Sequence, residues 1–294
     1  MSSIRRDWAH PRVPVGDLPA GAGGMGEAVR HGTLSIIIPA RDEAANLPEL
    51  VEEVVGVFRA LVGRLDRRHP LDAFEILVVD DGSTDATSLV LRQLAGRYPE
   101  LRTITLASNV GQSAATASGF WAARGDWIGL LDADLQNPPA DLAELWQALP
   151  GFDAALGWRA TRQDDWVKRI TSRLANRVRN AVLGQSIRDT GCSIRIFPRR
   201  VALRLPMFLG AHRFLGPLLI REGCRIVQKP VGHRRRASGK SHYHLGNRSI
   251  RVVVDLLGVA WLLRRPIRRG VVLWARPDGR LTPVRMAEGR EASR

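Results

Sequence analysis

The sequence predicts an α/β protein, a mostly parallel sheet with helices on both faces. Three observations predict it. Short apolar runs alternate with stretches of helical apolar spacing from Leu34 onward. The runs end at Pro, Asp or Gly, residues that stop strands. The 294 residues are 45% hydrophobic and 25% charged, enough for a sizeable core and too apolar for a disordered chain.

Residues 1–32, rich in Gly, Pro and Ala without apolar periodicity, predict a flexible tail. Leu34 to Pro39 predicts a buried strand. Asn46 is expected to cap the next helix, with Pro48 in its first turn and Glu49 three residues on. Leu50, Val54, Val57 and Leu61 form its apolar face. Phe74 to Val79 predicts a second strand, stopping at Asp80-Asp81-Gly82-Ser83, and Thr84 or Asp85 caps a helix through about Leu94. Arg102 to Leu106 predicts a third strand and Ser113 to Ala123 a third helix. Trp127 to Leu131 predicts a fourth strand, which stops at Asp132-Ala133-Asp134. Asp141 to Leu149 predicts a short helix, and Phe152 to Leu156 a fifth strand. Beyond Gly157 come a long helix over Asp165 to about Leu183, short strands at Ile194–Phe197 and Ile226–Val231, and a basic loop over His233–Ser241.

Ile250 to Leu263 is apolar apart from Asp255, and Arg264, Arg265, Arg268 and Arg269 follow it. At 1.5 Å per residue it spans about 20 Å, short of a ~30 Å bilayer core. Val253, Val254, Leu257 and Trp261 recur at helical spacing. Two roles stay open for it: a helix in the membrane interface, or a buried helix closing the domain. The expected organisation is a tail over 1–32, a catalytic domain over 33–245, an amphipathic helix over 246–270 and a tail over 271–294. Trp121, Trp127 and Trp146 are expected in the core, and His10, His31 and His69 in solvent. Cys192 and Cys224 are too few for a disulfide framework or zinc cluster and are expected to be small buried apolar groups. No apolar run reaches about 18 residues, and the N-terminus has no apolar stretch after its charges, so neither a spanning helix nor a secretory signal is expected. A reducing, cytoplasmic setting is the expectation.

The net charge of +15 hides a split. Residues 1–158 hold 13 Arg+Lys against 21 Asp+Glu, a net of −8, and residues 159–294 hold 31 against 8, a net of +23. The acidic first half rejects a uniformly basic nucleic-acid binder, and aromatic residues do not alternate with the basic ones. The second half is built to meet something anionic.

In such a sheet, ligands sit beyond the carboxyl ends of the strands. Those ends carry Pro39-Ala-Arg41-Asp42-Glu43, Asp80-Asp81 and Asp132-Ala133-Asp134-Leu-Gln136. Two carboxylates around a small residue can hold a hard divalent cation, with Gln136 adding a carbonyl oxygen; the plain alternative is a solvated turn with capping aspartates. Asp80 can accept from a base or a ribose, or simply end a strand. The first strand leads into no Gly-x-Gly-x-x-Gly, and no Walker A motif exists, which counts against dinucleotide dehydrogenases and P-loop NTPases.

Pro39-x-x-x-Glu43, Val79-Asp80-Asp81-Gly82-Ser83-Thr84-Asp85, Asn109-x-Gly111 and Asp132-Ala133-Asp134-Leu-Gln136-x-Pro138-Pro139 together resemble family 2 glycosyltransferases of the GT-A fold. The subgroup resembled is the polyprenyl-phosphate glycosyltransferases, similar to dolichyl-phosphate mannosyltransferase. Further matches are Gly157-x-Arg159, Asp189-Thr-Gly191-Cys192 with Arg195, His212-Arg213-Phe214, and His233-Arg234 through Gly239-Lys240-Ser241. Departures are Ser193-Ile194 in place of an aromatic residue and glycine, His242 after Gly-Lys-Ser, and no C-terminal membrane-spanning helices.

The resemblance implies roles for individual residues. Pro39, Arg41, Glu43, Val78, Asp80 and Asp81 would line the nucleotide pocket. Asp132 and Ala133 would lie against nucleotide and sugar. Asp134 and Gln136 would bind Mg²⁺ or Mn²⁺. Arg159 and Arg173 would face a lipid phosphate, and Arg234 and Lys240 would clamp the donor diphosphate. The implied reaction moves a hexosyl group, mannose or glucose, from a GDP-mannose- or UDP-glucose-class donor to a polyprenyl phosphate. It is metal-dependent, inverts the anomeric carbon and takes place at the cytoplasmic face of an anionic membrane. No nucleic acid takes part. The rivals are a glycosyltransferase with a saccharide or soluble hydroxyl acceptor, which needs a general base the sequence does not offer, a basic nucleic-acid-binding protein, and an inactive scaffold.

Overall fold

A computed structural model describes residues 32–64, 69–160, 177, 179–184, 186–234, 248–265, 272–275 and 281–284. Its centre is a seven-stranded sheet. The strands are β1 (Thr33–Ala40), β2 (Ala73–Asp80), β3 (Leu101–Thr105), β4 (Trp127–Leu130), β5 (Ala154–Arg159), β6 (Arg195–Pro198) and β7 (Ile226–Val231). Their order across the sheet is β3-β2-β1-β4-β6-β5-β7, and every pair is parallel except those β6 makes with β4 and β5. Between the strands run α1 (Leu47–Arg59), α2 (Thr87–Arg97), α3 (Gln112–Ala122), α4 (Pro139–Gln147), α5 (Arg199–Ala202) and α6 (Leu215–Arg221), followed by α7 (Arg248–Leu263).

Successive strand residues point to opposite faces. Leu34, Ile36 and Ile38 of β1 bury themselves under α1, α2 and α4, with Phe58 and Trp146 at 0% exposure. Ile37 of the same strand joins Leu77, Phe120, Phe197 and Leu218 on the other face, under α3, α6 and α7. Both faces are covered, which is why the strands read as continuous apolar runs. At Gly119 the fit is closest: a Cβ there would lie 2.4 Å from Ile37 Cγ2.

The predicted strands and helices form with shifts of a few residues, and the local reasons are visible. Asn46 stands at the N-cap of α1, but its side chain does not cap; Asn46 Nδ2 donates to Glu43 Oε2 instead. Asp85 does hold an N-terminal amide of α2, accepting from Thr87 N–H at 2.9 Å, one residue before the positional cap Ala86. Trp127 and Trp146 are buried as expected, whereas Trp121 is 69% exposed. His69, expected in solvent, is buried with its ring 4.3 Å from Trp146 and edge-on to Trp127. His10 and His31 lie outside the described residues.

The segment expected to be a C-terminal tail contains an antiparallel pair, β8 (Val272–Ala275) with β9 (Leu281–Val284). The predicted long helix over 165–183 falls mostly outside the described residues, although 179–183 are helical. α7 has one side in the core and one side exposed. Val259 and Ala260 are buried against the second core, whereas Val253, Val254, Leu257 and Trp261 are each more than half exposed. Among the described residues, no helix is long and apolar enough to cross a membrane.

Candidate active site

The register places the functional candidates on one edge. Ala40 pairs with Asp80 at the ends of β1 and β2. Leu130 at the end of β4 faces Arg195 at the start of β6, because β6 runs backwards. Arg159 pairs with Val231 at the ends of β5 and β7. The carboxyl ends of β1, β2, β4, β5 and β7 therefore meet the amino end of β6. The strand order reverses between β1 and β4, the switch point where such sheets bind ligands.

On the β1–β2 side the loops tie to one another. Asp42 is left-handed at φ 54°, and its Oδ1 accepts from Thr84 N–H at 2.7 Å. That bond comes first among the causes that hold the Asp42 carboxyl below its ordinary value, although partial burial works against it. Asp80 is fully buried; Ser83 N–H and the Ser88 hydroxyl donate to its two oxygens. Asp81 accepts from Val110 N–H at 2.8 Å and Gly111 N–H at 2.9 Å, which fastens the β3–α3 loop. Gly82 closes the turn at φ 64°, where a Cβ would lie 2.5 Å from the Ser108 carbonyl carbon. Val78 lies inside the sheet at 0% exposure, Arg41 is exposed, and Glu43 turns to Asn46.

The turn after β4 brings acids together. Leu135 is left-handed at φ 60° although buried and branched, a conformation that costs about 1–2 kcal/mol. It folds the chain so that Gln136 N–H donates to Asp134 Oδ1 at 3.2 Å. Burial, and then the neighbouring charge of Asp134, push the Asp132 carboxyl above its ordinary value. Two carboxylates this close in one turn suit a divalent cation. Among the described residues no cluster of three or more His, Cys, Asp or Glu side chains forms a metal cage. This donor set fits Mg²⁺ or Mn²⁺, which take one or two carboxylates and complete their shell with substrate phosphate and water.

Beside Asp132 opens a cavity of about 180 Å³. Of the predicted site residues, Pro39 and Asp132 line it, and Ala133 is buried behind. The rest of its wall includes Gln112, Thr190, Arg195, His212 and Arg213, none of which carried a predicted role. Arg195 is 3% exposed; its Nη1 donates to the His212 carbonyl at 2.7 Å and its Nη2 to the Thr190 carbonyl at 2.8 Å. A lone arginine in the apolar run Ile194-Arg195-Ile196-Phe197 was the signal available: a charge in a buried strand must be held by something. Gln112 Nε2 donates to Asp132 Oδ1 at 3.1 Å.

Arg159 stands at the edge of this cavity, where a Cβ on the lining residue Gly191 would lie 2.9 Å from its Nη2. Arg159 makes a two-pronged pair with Asp189, Nε to Oδ2 at 2.8 Å and Nη2 to Oδ1 at 3.1 Å. Arg234 N–H donates to the Gln136 carbonyl at 2.8 Å, while its guanidinium reaches Glu53 on α1. Arg173 and Lys240 lie outside the described residues. Burial pushes the thiols of Cys192 and Cys224 up to about 11, consistent with inert apolar packing.

This fold, with acids at the switch point and arginine beside them, suits an enzyme that handles an anionic substrate, and comparison with known proteins gives its family. Residues 35–205 match the pattern of glycosyl transferase family 2. Dodecaprenyl-phosphate galacturonate synthase from Rhizobium johnstonii is 33% identical over 253 residues, 84% of this chain and 72% of that protein. Undecaprenyl-phosphate 4-deoxy-4-formamido-L-arabinose transferase from Aeromonas hydrophila is 32% identical over 237 residues, covering 80% and 69%. The chain belongs to glycosyl transferase family 2 and is a glycosyltransferase. Among solved structures, glucosyl-3-phosphoglycerate synthase from Mycobacterium tuberculosis, in complex with Mn²⁺ and UDP-glucose, superposes with a TM-score of 0.58 at 22% identity over 86% of each chain. A mannosyltransferase from Pyrobaculum calidifontis, with GDP-mannose and Mn²⁺, gives 0.55 at 21% identity, covering 82% of this chain and 66% of that one. The likeness is one of fold, and the fold is GT-A-like.

Proposed function

We propose that this glycosyltransferase moves a sugar from a nucleoside-diphosphate donor to a polyprenyl phosphate at a membrane surface. One observation carries the reading: the cationic cavity adjoins an exposed apolar rim. The cavity wall at His212 and Arg213 continues directly into Leu209, which is 72% exposed. The same loop packs on α7, where a Cβ on Gly210 would lie 2.7 Å from Asp255 Oδ2. Val253, Val254, Leu257 and Trp261 of that helix are exposed, and Arg264 and Arg265 follow them. An anion joined to a long hydrocarbon chain matches a cationic cavity beside an apolar rim. Two relatives named for different sugars are both named for polyprenyl phosphates, so the acceptor is what carries over. The donor is proposed as GDP-mannose or UDP-glucose class with a hexosyl group; the relatives' uronic acid and formamido-arabinose belong in the same test.

Asp134 and Gln136 would hold Mg²⁺ or Mn²⁺, which when bound supplies Lewis-acid neutralisation of the departing diphosphate. Asp132 stands against the sugar, with Gln112 Nε2 steadying its Oδ1. Arg195 and Arg213 place positive charge where the acceptor phosphate arrives; one preorganised donor of this kind is typically worth about 3–4 kcal/mol in the transition state. A phosphate monoester has its second pKa near ~6 and is mostly dianionic at pH 7, so it attacks without a general base. Single displacement inverts the anomeric carbon. The proposed place of work is the cytoplasmic face of an anionic membrane, where each arginine near the surface contributes about 1 kcal/mol.

Labelled GDP- and UDP-sugars incubated with the full chain and undecaprenyl phosphate test the reading. Label should enter the organic phase, cease after metal chelation and return with Mn²⁺. Label passing only to water-soluble acceptors overturns the acceptor assignment, and a retained anomer overturns single displacement. Leu257→Asp with Trp261→Asp should cut sedimentation with anionic vesicles about tenfold or more at unchanged melting temperature; unaltered sedimentation overturns the docking face.

A further inference from the structure

Ser113, the second residue of α3, is buried at 3% exposure, and three groups meet at its hydroxyl. Gly210 N–H donates to Ser113 Oγ at 3.1 Å and His212 N–H at 3.3 Å. His212 Nδ1 lies 2.7 Å from the same oxygen. A serine hydroxyl has one proton and two lone pairs. The two backbone N–H groups occupy the lone pairs, so the hydroxyl proton is left for Nδ1, which must accept it. A ring nitrogen that accepts carries no proton of its own, and in a neutral imidazole the proton then sits on Nε2. A proton added to Nδ1 would point at the hydroxyl hydrogen and break the shortest of the three contacts. The charged groups of the same wall are Asp132, Arg195 and Arg213. Arg195 Nη1 stands 2.7 Å from the His212 carbonyl, and that positive charge opposes a second one on the ring.

We propose that Ser113 locks His212 in the neutral Nε2–H tautomer, and that this N–H is an uncharged donor to a phosphate oxygen of the acceptor seated in the cavity. The lock stands on the hydroxyl geometry alone; the acceptor contact rests on the function proposed above. Arg195 and Arg213 supply charge, and His212 adds direction without adding charge. Among the described residues, the one histidine on this cavity wall is thereby set as a donor and not as a general base, which agrees with an acceptor that needs none. Ser113 is a positioning residue, acting through the ring it holds.

Long-range ¹H–¹⁵N spectra of the full chain at pH 7 read the tautomer, with His212 assigned by the signals lost in His212→Gln. The expected result is an unprotonated Nδ1 and a protonated Nε2. Ser113→Ala should give a mixture of tautomers, and Ser113→Thr should restore the single form. A protonated Nδ1 or an imidazolium in the unmodified chain overturns the lock, and that spectrum decides even if Ser113→Ala fails to fold. Farnesyl phosphate, GDP and UDP are then added separately. A shift of Nε2 with farnesyl phosphate alone supports the acceptor contact; a shift with the nucleotides instead, or with none of the three, overturns it. In kinetics, His212→Gln keeps an N–H near the Nε2 position and should hold the acceptor KM within about threefold, whereas His212→Leu should raise it about tenfold or more with the donor KM unchanged. Equal effects of the two substitutions overturn the donor role. An Nε2–H tautomer in a chain that glycosylates no polyprenyl phosphate supports the lock and sinks the functional reading.

Discussion

At the ends of β1 and β2 the buried charges are carboxylates held by backbone N–H groups and hydroxyls. At the start of β6 the buried charge is a guanidinium held by carbonyl oxygens. Asp42 and Asp81 fasten three loops to one another, and Asp80 ties its own turn to α2, so these acids serve rigidity. Arg195 is satisfied at its edges by two carbonyl dipoles, and the acids that act on its positive charge are Asp132 and Asp189. Acids on this edge therefore divide in two: those that staple loops, and the Asp132–Asp134 pair, which Leu135 holds in opposition at a local cost. Loss of a staple should cost stability, and loss of an opposed acid should cost activity.

Asp134→Ala tests that division at its largest. Transfer should fall about a thousandfold, while the melting temperature stays within about 2 °C. A label-transfer assay alongside thermal unfolding measures both. Full activity would remove Asp134 from the metal site and erase the contrast with Asp81.

Gly82→Ala strikes the stapled side. Its left-handed φ and the 2.5 Å approach to the Ser108 carbonyl carbon act together, for a loss of about 3 kcal/mol and a melting temperature lower by about 6–12 °C. Gly63→Ala separates the two causes, since Gly63 has φ 73° and nothing within 4 Å of a Cβ. It should cost only the strain of about 1–2 kcal/mol. Asp81→Asn keeps one acceptor oxygen and loses the charge, so it should cost about 2 kcal/mol. Faster amide exchange at Val110 and Gly111 would locate that loss.

The β1, β2 and β4 ends were legible because an apolar run stops where the acids begin, and a parallel sheet collects such ends on one edge. The cavity wall was not. Arg195 faces Leu130 only because β6 runs antiparallel, and strand–helix alternation does not encode that reversal. His69 is buried because Trp127 and Trp146, distant in sequence, close over it. Trp121 is exposed because α3 presses Gly119 against Ile37, which turns the helix's small-residue side inward. The tryptophan, two residues on, then faces away. On α7 the apolar pattern spreads over two faces, and composition alone does not say which residues meet the core.

The smallest effect tests whether a staple away from the site obeys the same rule. Glu75 on β2 sits between Ser35, whose hydroxyl donates to it at 2.6 Å, Arg102 at 2.6 Å and Arg124 N–H at 2.7 Å. Partial burial, the largest single influence, raises the Glu75 carboxyl, but these three donors together bring it below its ordinary value of 4.5. A carboxyl lowered by folding binds its proton less readily in the folded chain than in the unfolded one. Its contribution is therefore complete above about pH 4.5 and lost as pH falls through the lower folded value. Glu75→Gln should destabilise the protein at pH 7 and flatten the acid limb of stability against pH, so that the curves of variant and parent converge once pH has fallen through the lowered folded value. Curves that stay parallel throughout would mean that Glu75 holds the β1–β2 pair by shape alone, leaving charge-held staples confined to the catalytic edge.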